Sequence, residues 1–469
     1  MSAPAAAPGR VLSTLNADGS RRWLRPKLSP GRYWRWRRAT AYALMLVFFL
    51  IPYLRMNGKP LVLLDIPRRE FTLFGYTFLP TDTLLFMLLF ISAGLGIFLA
   101  TALFGRVWCG WACPQTVYME FLFRPIERLL EGGRSGSLAF DRRKGFHLRR
   151  WIKYGVYGLL SLFLAHTFLA YFVGIERLVQ WVQLTPLEHP TAFLIMAGTS
   201  AAIFFDFTYF REQTCLVACP YGRLQSVLLD RKSLIVGYLP LRGEPRAKGL
   251  RDRDPAAGDC IDCGACVQTC PTGIDIRDGL QMECIHCTQC MDACDDIMDR
   301  VGKPRGLITY TSRCEVEGQP ARKLRPRVVL YPAALAVVMG LFVFLLGTKK
   351  DTDVTLLRGI GAPFSFEAEG NVVNQVRIKV TNRGTSERAY RISLAGAEEG
   401  RLILPENPMR VAAGAVRTES AFIVLAPDAF ADGRRLVRFT ITDEDRFTGE
   451  FEYTLIGPEP RDEETEVER

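Results

Sequence analysis

Hydrophobic residues along this chain fall into five blocks, after which their period changes. The blocks are Ala39–Leu54, Leu84–Phe104, Tyr154–Val173, Thr191–Phe210 and Val328–Gly347. The last four approach the roughly 20 residues that cross the hydrocarbon core of a bilayer as a helix, and the first is shorter. The pattern therefore predicts a multi-domain membrane protein with about five helical spans, four of them within residues 39–210 and the fifth at 328–347. From Asp351 onward the period drops to two. Val376-Arg377-Ile378-Lys379-Val380 and Leu436–Ile441 alternate apolar with polar residues, and Asn382-Arg383-Gly384 and Asp432-Gly433 supply turns. About a hundred residues of short strands, 351–457, predict an all-β immunoglobulin-like sandwich, and one without a disulfide because no cysteine follows Cys314. The closing stretch, 458–469, is mostly acidic and is expected to be disordered.

Charge orients the spans. Residues 1–38 form a basic segment in which Arg21-Arg22-Trp23 and Arg32-Tyr33-Trp34-Arg35-Trp36-Arg37-Arg38 combine positive charge with interfacial aromatics, so the N-terminus is expected in the cytoplasm. The first apolar block begins behind this segment, and a signal peptide is not expected. Residues 56–82, placed outside, carry three basic and three acidic residues, whereas 105–150, placed inside, carry nine Arg or Lys. The bias agrees with the positive-inside rule. The formal net charge of +10 gathers at these flanks and comes with no nucleic-acid motif, so nucleic acid is not expected as a partner. Arg242, Arg246, Lys248, Arg251 and Arg253, with Arg322, Lys323, Arg325 and Arg327, read as contacts to inner-leaflet lipid.

All 13 cysteines fall on the cytoplasmic side of this topology, where thiols stay reduced and open to metals. Within residues 211–327, a module at about 250–305 carries eight of them. Cys260, Cys263, Cys266 and Cys270-Pro271 follow C-x2-C-x2-C-x3-C-P, and Cys284, Cys287, Cys290 and Cys294 repeat the spacing, with Asp295 in place of the second proline. This is the pattern of a two-cluster ferredoxin, in which the fourth cysteine of each motif serves the other cluster. Cys260, Cys263, Cys266 and Cys294 are thus expected to hold one [4Fe-4S] cluster and Cys284, Cys287, Cys290 and Cys270 the second. Structural zinc is the competing reading, but zinc sites pair C-x2-C units and do not run three cysteines at successive x2 steps. His286, between two ligands, is expected to be an exposed loop residue, and Cys314 a free thiol.

A second constellation repeats. Phe104-Gly-Arg-Val-Trp-Cys109-Gly-Trp-Ala-Cys113-Pro114 and Phe210-Arg-Glu-Gln-Thr-Cys215-Leu-Val-Ala-Cys219-Pro220 match in spacing, with Leu122 and Leu228 nine residues beyond the second cysteine. Each C-x3-C-P stands where a helix leaves the membrane, and proline fits the first turn of a new helix. Free N–H groups there favour a thiolate. Four thiols from two matching hairpins are expected to converge on one site, although small packing residues at helix ends would look the same. Cu(I), zinc, an iron–sulfur cluster or thiol–disulfide cycling all suit four soft sulfurs. Within the spans, His166 is a candidate metal or haem ligand, weighed against a histidine satisfied by its surroundings, and Asp206 is expected to cap its helix or pair with Arg211.

The ferredoxin block with Asp295-Asp-Ile-Met298 and Gly302–Tyr310, the two C-x3-C-P hairpins and the outer sandwich together resemble the cytochrome c oxidase accessory protein family CcoG, also called FixG or RdxA. The resemblance runs from the first span almost to the end. It implies an inner-membrane protein that serves assembly of cbb3-type cytochrome oxidase by reducing Cu(II) to Cu(I) for copper chaperones. On the matching positions it makes Cys109, Cys113, Cys215 and Cys219 the copper-handling or redox thiols. It also implies a cytoplasmic electron donor, oxidase assembly factors as partners and a periplasmic sandwich. Two other functions fit the residues: a membrane ferredoxin passing electrons to a quinone or periplasmic partner, and a non-catalytic assembly scaffold.

Overall fold

The structure, a computed structural model, describes residues 12–458 apart from 17, 57, 79–81, 143–146, 250–255, 321–324, 349–350, 385, 398 and 444–446. The acidic tail from 459, together with Arg251, Arg253, Arg322 and Lys323, lies outside the described residues. The chain divides into two compact units, one holding most of residues 1–344 and the other most of 345–469.

Four helices of the described residues are long and apolar enough to cross a membrane: Thr83–Phe104, Leu148–Val173, Pro190–Phe210 and Pro326–Gly347. The expected first span differs. Its helix runs Arg32–Leu50, so Arg32, Arg35, Arg37 and Arg38 occupy its first two turns, and it does not meet the same criterion. Its N-terminus is capped from another part of the chain. Asp292 accepts from the backbone N–H of Tyr33 at 3.0 Å through one carboxylate oxygen and from Trp34 at 2.7 Å through the other. This satisfies donors that every helix start leaves open.

The two hairpin endings share more than spacing. Gly105 and Arg211, each four residues before the first cysteine of its motif, adopt φ 59°, ψ −130° and φ 52°, ψ −123°. Glycine takes that region freely. Arginine does not. Arg211 is held there by a buried ion pair, its guanidinium donating to both carboxylate oxygens of Glu127 at 2.9 and 3.1 Å. Arg25 and Lys153 also reach Glu127. Burial alone would raise the Glu127 carboxyl, but these three cations hold it below the ordinary range. Phe123 stacks on Phe207 at 4.1 Å, and the Tyr157 hydroxyl donates to the Phe123 carbonyl at 2.9 Å, which ties the first hairpin's exit to the third and fourth apolar helices.

The cysteine-rich module is built on an antiparallel ladder, Ile235–Tyr238 with Ile308–Thr311, and on two helices, Ala265–Thr269 and Gln289–Arg300. Val236, Met291, Met298, Leu307 and Ile308 form its core together with Cys260, Cys266 and Cys284.

The second unit is a two-sheet sandwich. In one sheet Val372–Asn382 lies between Val416–Leu425 and Thr352–Arg358. The other runs Met409–Val411, Arg388–Ala395, Arg434–Asp443, Thr448–Ile456. The alternation read from the sequence sets the faces: Val376, Ile378 and Val380 on one strand and Val437, Phe439 and Ile441 on another meet in a single core.

Candidate metal centre and adjoining thiol cluster

Two pockets organise the eight ferredoxin cysteines. One, of about 360 Å³, is lined by Cys260, Cys263, Cys266 and Cys294, with Arg277 at its edge. The other, of about 350 Å³, is lined by Cys270, Cys284, Cys287 and Cys290, with Cys266 between the two. The spacing explains the exchange: Cys266 and Cys270, and likewise Cys290 and Cys294, stand four residues apart along one helix face, so each pair reaches from one pocket to the other.

Two observations fit iron–sulfur cubes in these pockets. The donors are four soft sulfurs per pocket. A buried cation also waits at the second pocket. Arg37 is fully buried, donates through Nε to the Gly110 carbonyl at 2.9 Å, and leaves both terminal nitrogens without a hydrogen-bond partner. Its charge acts on Cys287. Unpaired buried donors are costly, and a thiolate-ligated cluster would satisfy them.

His286 is not an exposed loop residue. It is fully buried, and its Nδ1 accepts from the Arg106 backbone N–H at 3.2 Å. Burial, aided by the neighbouring Arg106 charge, lowers the imidazole to about 3, so it stays neutral and able to accept. His286 thus fastens the cluster loop to the first C-x3-C-P hairpin. Sequence reasoning missed it because a histidine between ligands carries no burial signal of its own.

The four hairpin cysteines do come together. Cys113 and Cys219 cap the helices Pro114–Tyr118 and Pro220–Leu228, and each of the four thiols lies near enough to the others to feel their charge. At Cys113 the expected thiolate character is not what the site provides. Burial pushes Cys109 up to about 11 and raises Cys113 and Cys215 as well. Desolvation outweighs the helix ends. Cys109 donates to Gln225 Oε1 at 3.0 Å, and Gln225 is itself fully buried.

This cluster adjoins the second ferredoxin pocket. Cys109 packs with Ile285 and Cys287 in one buried group. Gly110 makes the approach possible, because a Cβ there would stand 2.6 Å from the Ile285 carbonyl oxygen and 2.8 Å from the Cys287 Cα.

Comparison with known proteins matches these parts. Residues 210–313 fit the model of a 4Fe-4S dicluster domain, 85–132 that of a 4Fe-4S binding domain, and 342–458 that of the Ig-like fold at the C-terminus of FixG. Protein RdxB of Cereibacter sphaeroides is 36% identical over 407 residues, covering 81% of this chain and 83% of that protein. The chain belongs to the FixG/RdxA family. Protein RdxA of the same organism is 36% identical over 75% of this chain and 77% of its own length, and nitrogen fixation protein FixG of Rhizobium meliloti 30% over 95% and 92%. With its two 4Fe-4S matches and four long apolar helices it is an iron–sulfur electron-transfer protein with a membrane character.

The remaining predicted positions are dispersed. His166 donates from Nδ1 to the Leu162 carbonyl of its own helix at 2.8 Å and lines a pocket that holds none of the thiols. Asp206 does not pair with Arg211 but accepts from the Thr214 hydroxyl. Cys314 is a buried free thiol apart from both sites.

Proposed function

We propose that this protein is a membrane-bound cupric reductase that supplies Cu(I) for assembly of a cbb3-type cytochrome oxidase. The packing of Cys109 against Cys287 carries this reading, since it sets four soft thiols directly beside a ferredoxin pocket. Bound in the two pockets, [4Fe-4S] clusters supply one-electron carriage from a cytoplasmic donor. Cu(II) is the substrate and takes one electron. Cys109, Cys113, Cys215 and Cys219 would hold the product, because thiolate ligands select Cu(I). Burial keeps Cys109, Cys113 and Cys215 protonated in the absence of metal, so copper binding to them displaces protons. Arg37 and the neutral His286 keep the cluster loop and hairpin in register. On this reading the chain crosses the inner membrane five times, with the ferredoxin module in the cytoplasm, the sandwich in the periplasm, and copper chaperones or oxidase assembly factors as partners.

The test is anaerobic reduction of the purified, cluster-loaded protein followed by stoichiometric Cu(II), with cluster oxidation and Cu(I) formation recorded together. The two should advance in step, and serine at the four hairpin cysteines should uncouple them. Clusters that stay reduced in the presence of copper would sink the proposal.

A further inference from the structure

Two of the chain's four histidines line one pocket, and a methionine joins them. Tyr154, near the start of the Leu148–Val173 helix, packs edge-on against Phe204, near the end of Pro190–Phe210, with ring centroids 6.4 Å apart, so the two helices run antiparallel. Counting about 1.5 Å per residue along both from that contact sets His166 level with Ala192, between His189 above and Met196 below. Met196 accordingly packs with Leu169 and Ala170 of the facing helix. His189 and Met196, two turns apart, share one helix face, and with His166 they line a cavity of about 630 Å³. Each donor is held in place. His166 donates from Nδ1 to the Leu162 carbonyl at 2.8 Å, which leaves Nε2 as its free lone pair; a backbone carbonyl on the far nitrogen is the usual means of orienting a metal-bound imidazole. His189 stacks on Trp181 with centroids 4.5 Å apart and 26° between the ring planes. Met196 Sδ takes only a long contact from the Ser200 hydroxyl, 3.7 Å, and keeps a lone pair. No Lys or Arg is among the lining residues. At the rim the Glu188 carboxylate accepts from Thr185, a lining residue, at 3.1 Å, and sets negative charge beside a helix start that would otherwise repel a cation.

We infer that this pocket binds one copper ion as Cu(I), through His166 Nε2, an imidazole nitrogen of His189 and Met196 Sδ. Imidazoles alone would suit zinc, nickel or copper, and the thioether selects Cu(I) among them. Three uncharged ligands also favour a monovalent ion, since they leave less charge uncompensated in an apolar surrounding. The site is separate from the thiols. It lies at the start of the helix whose other end leads to Cys215, about 30 Å away, too far for the two to share an ion. On the topology proposed above this is the periplasmic end. Binding rests on the pocket's own donors and not on the reductase reading.

Full-length, cluster-loaded protein in phosphatidylcholine nanodiscs would be held without oxygen at free Cu(I) concentrations set by bicinchoninate and then treated with diethylpyrocarbonate. Peptide mass spectrometry reads which histidines are modified, and cluster absorbance is followed throughout. His166 and His189 should be protected together, at one half-saturating Cu(I) concentration. Met196→Leu, close in volume, should raise that concentration about tenfold, and Zn(II) at the same free concentrations should protect at least about tenfold less. His166→Gln should leave His189 open to the reagent at copper levels that shield it in the wild type. If that variant loses cluster absorbance, Met196→Leu and the zinc comparison decide the matter. Two histidines protected at unrelated copper concentrations, no protection of either, or protection equal with zinc and indifferent to Met196→Leu overturns the inference. Because the readout is on histidines and not on thiols, shielded histidines with a failed copper-reduction assay remove the reductase reading and leave this site, and reactive histidines with working reduction do the reverse.

Discussion

Replacing Gly110 with alanine should separate the Cys109 hairpin from the loop that carries Cys284 and Cys287. The new methyl carbon would lie 2.6 Å from the Ile285 carbonyl oxygen, 2.8 Å from Cys287 Cα and 2.9 Å from Cys287 N. All three are backbone atoms and cannot swing aside. Ordinary contact begins at 3.4 Å, so the oxygen must retreat by the difference, 0.8 Å. Overpacking of this kind costs about 1–3 kcal/mol, which is roughly a ten- to hundredfold loss in the docked arrangement. The assay is loss of visible cluster absorbance under a fixed chelator challenge, with Cu(II) reduction measured on the same samples. Gly110→Ala should lose its second-pocket cluster at least about tenfold faster. The control is Gly94→Ala, where a Cβ meets nothing within 4 Å. If the two variants behave alike, the close approach of hairpin and loop is not what holds the site together.

Arg37→Met removes the buried charge beside Cys287 and should lower the reduction potential of one cluster by tens of millivolts, because the added electron loses a favourable neighbour; an EPR-monitored titration reads it. Glu127→Gln leaves Arg211 and Arg25 buried without their carboxylate and should cost about 3–5 kcal/mol in thermal or denaturant melts. The wild-type carboxyl sits below its ordinary value of 4.5, so its contribution is full above that pH and is lost as pH falls toward the depressed value; the glutamine variant should lack this acid slope. Asp292→Ala removes both side-chain caps from the Arg32–Leu50 helix and should destabilise the protein by about 1–2 kcal/mol, measurable as a shifted midpoint with unchanged iron content.

Much of this protein was legible in its sequence because the signals were local. A two-residue period fixes which side of a strand meets the core, so Val376, Ile378 and Val380 could be read as one face before any sheet was seen. Cysteine spacing works the same way, since a short helix between Cys266 and Cys270 leaves few ways to distribute eight ligands over two pockets. The matching hairpins were visible as text, and the backbone repeats them at Gly105 and Arg211. What the sequence could not carry were relations between distant segments. His286 looked like a solvated loop residue, and only its contact with Arg106, 180 positions away, makes it a buried acceptor. Arg37 read as one more positive charge at a membrane flank, yet the fold buries it beside Cys287. Cys113 read as activated by a helix end, whereas burial raises it. Period and ligand spacing act over a few bonds and are written in the chain. Burial and charge pairing depend on which surfaces meet, and only the tertiary structure decides that.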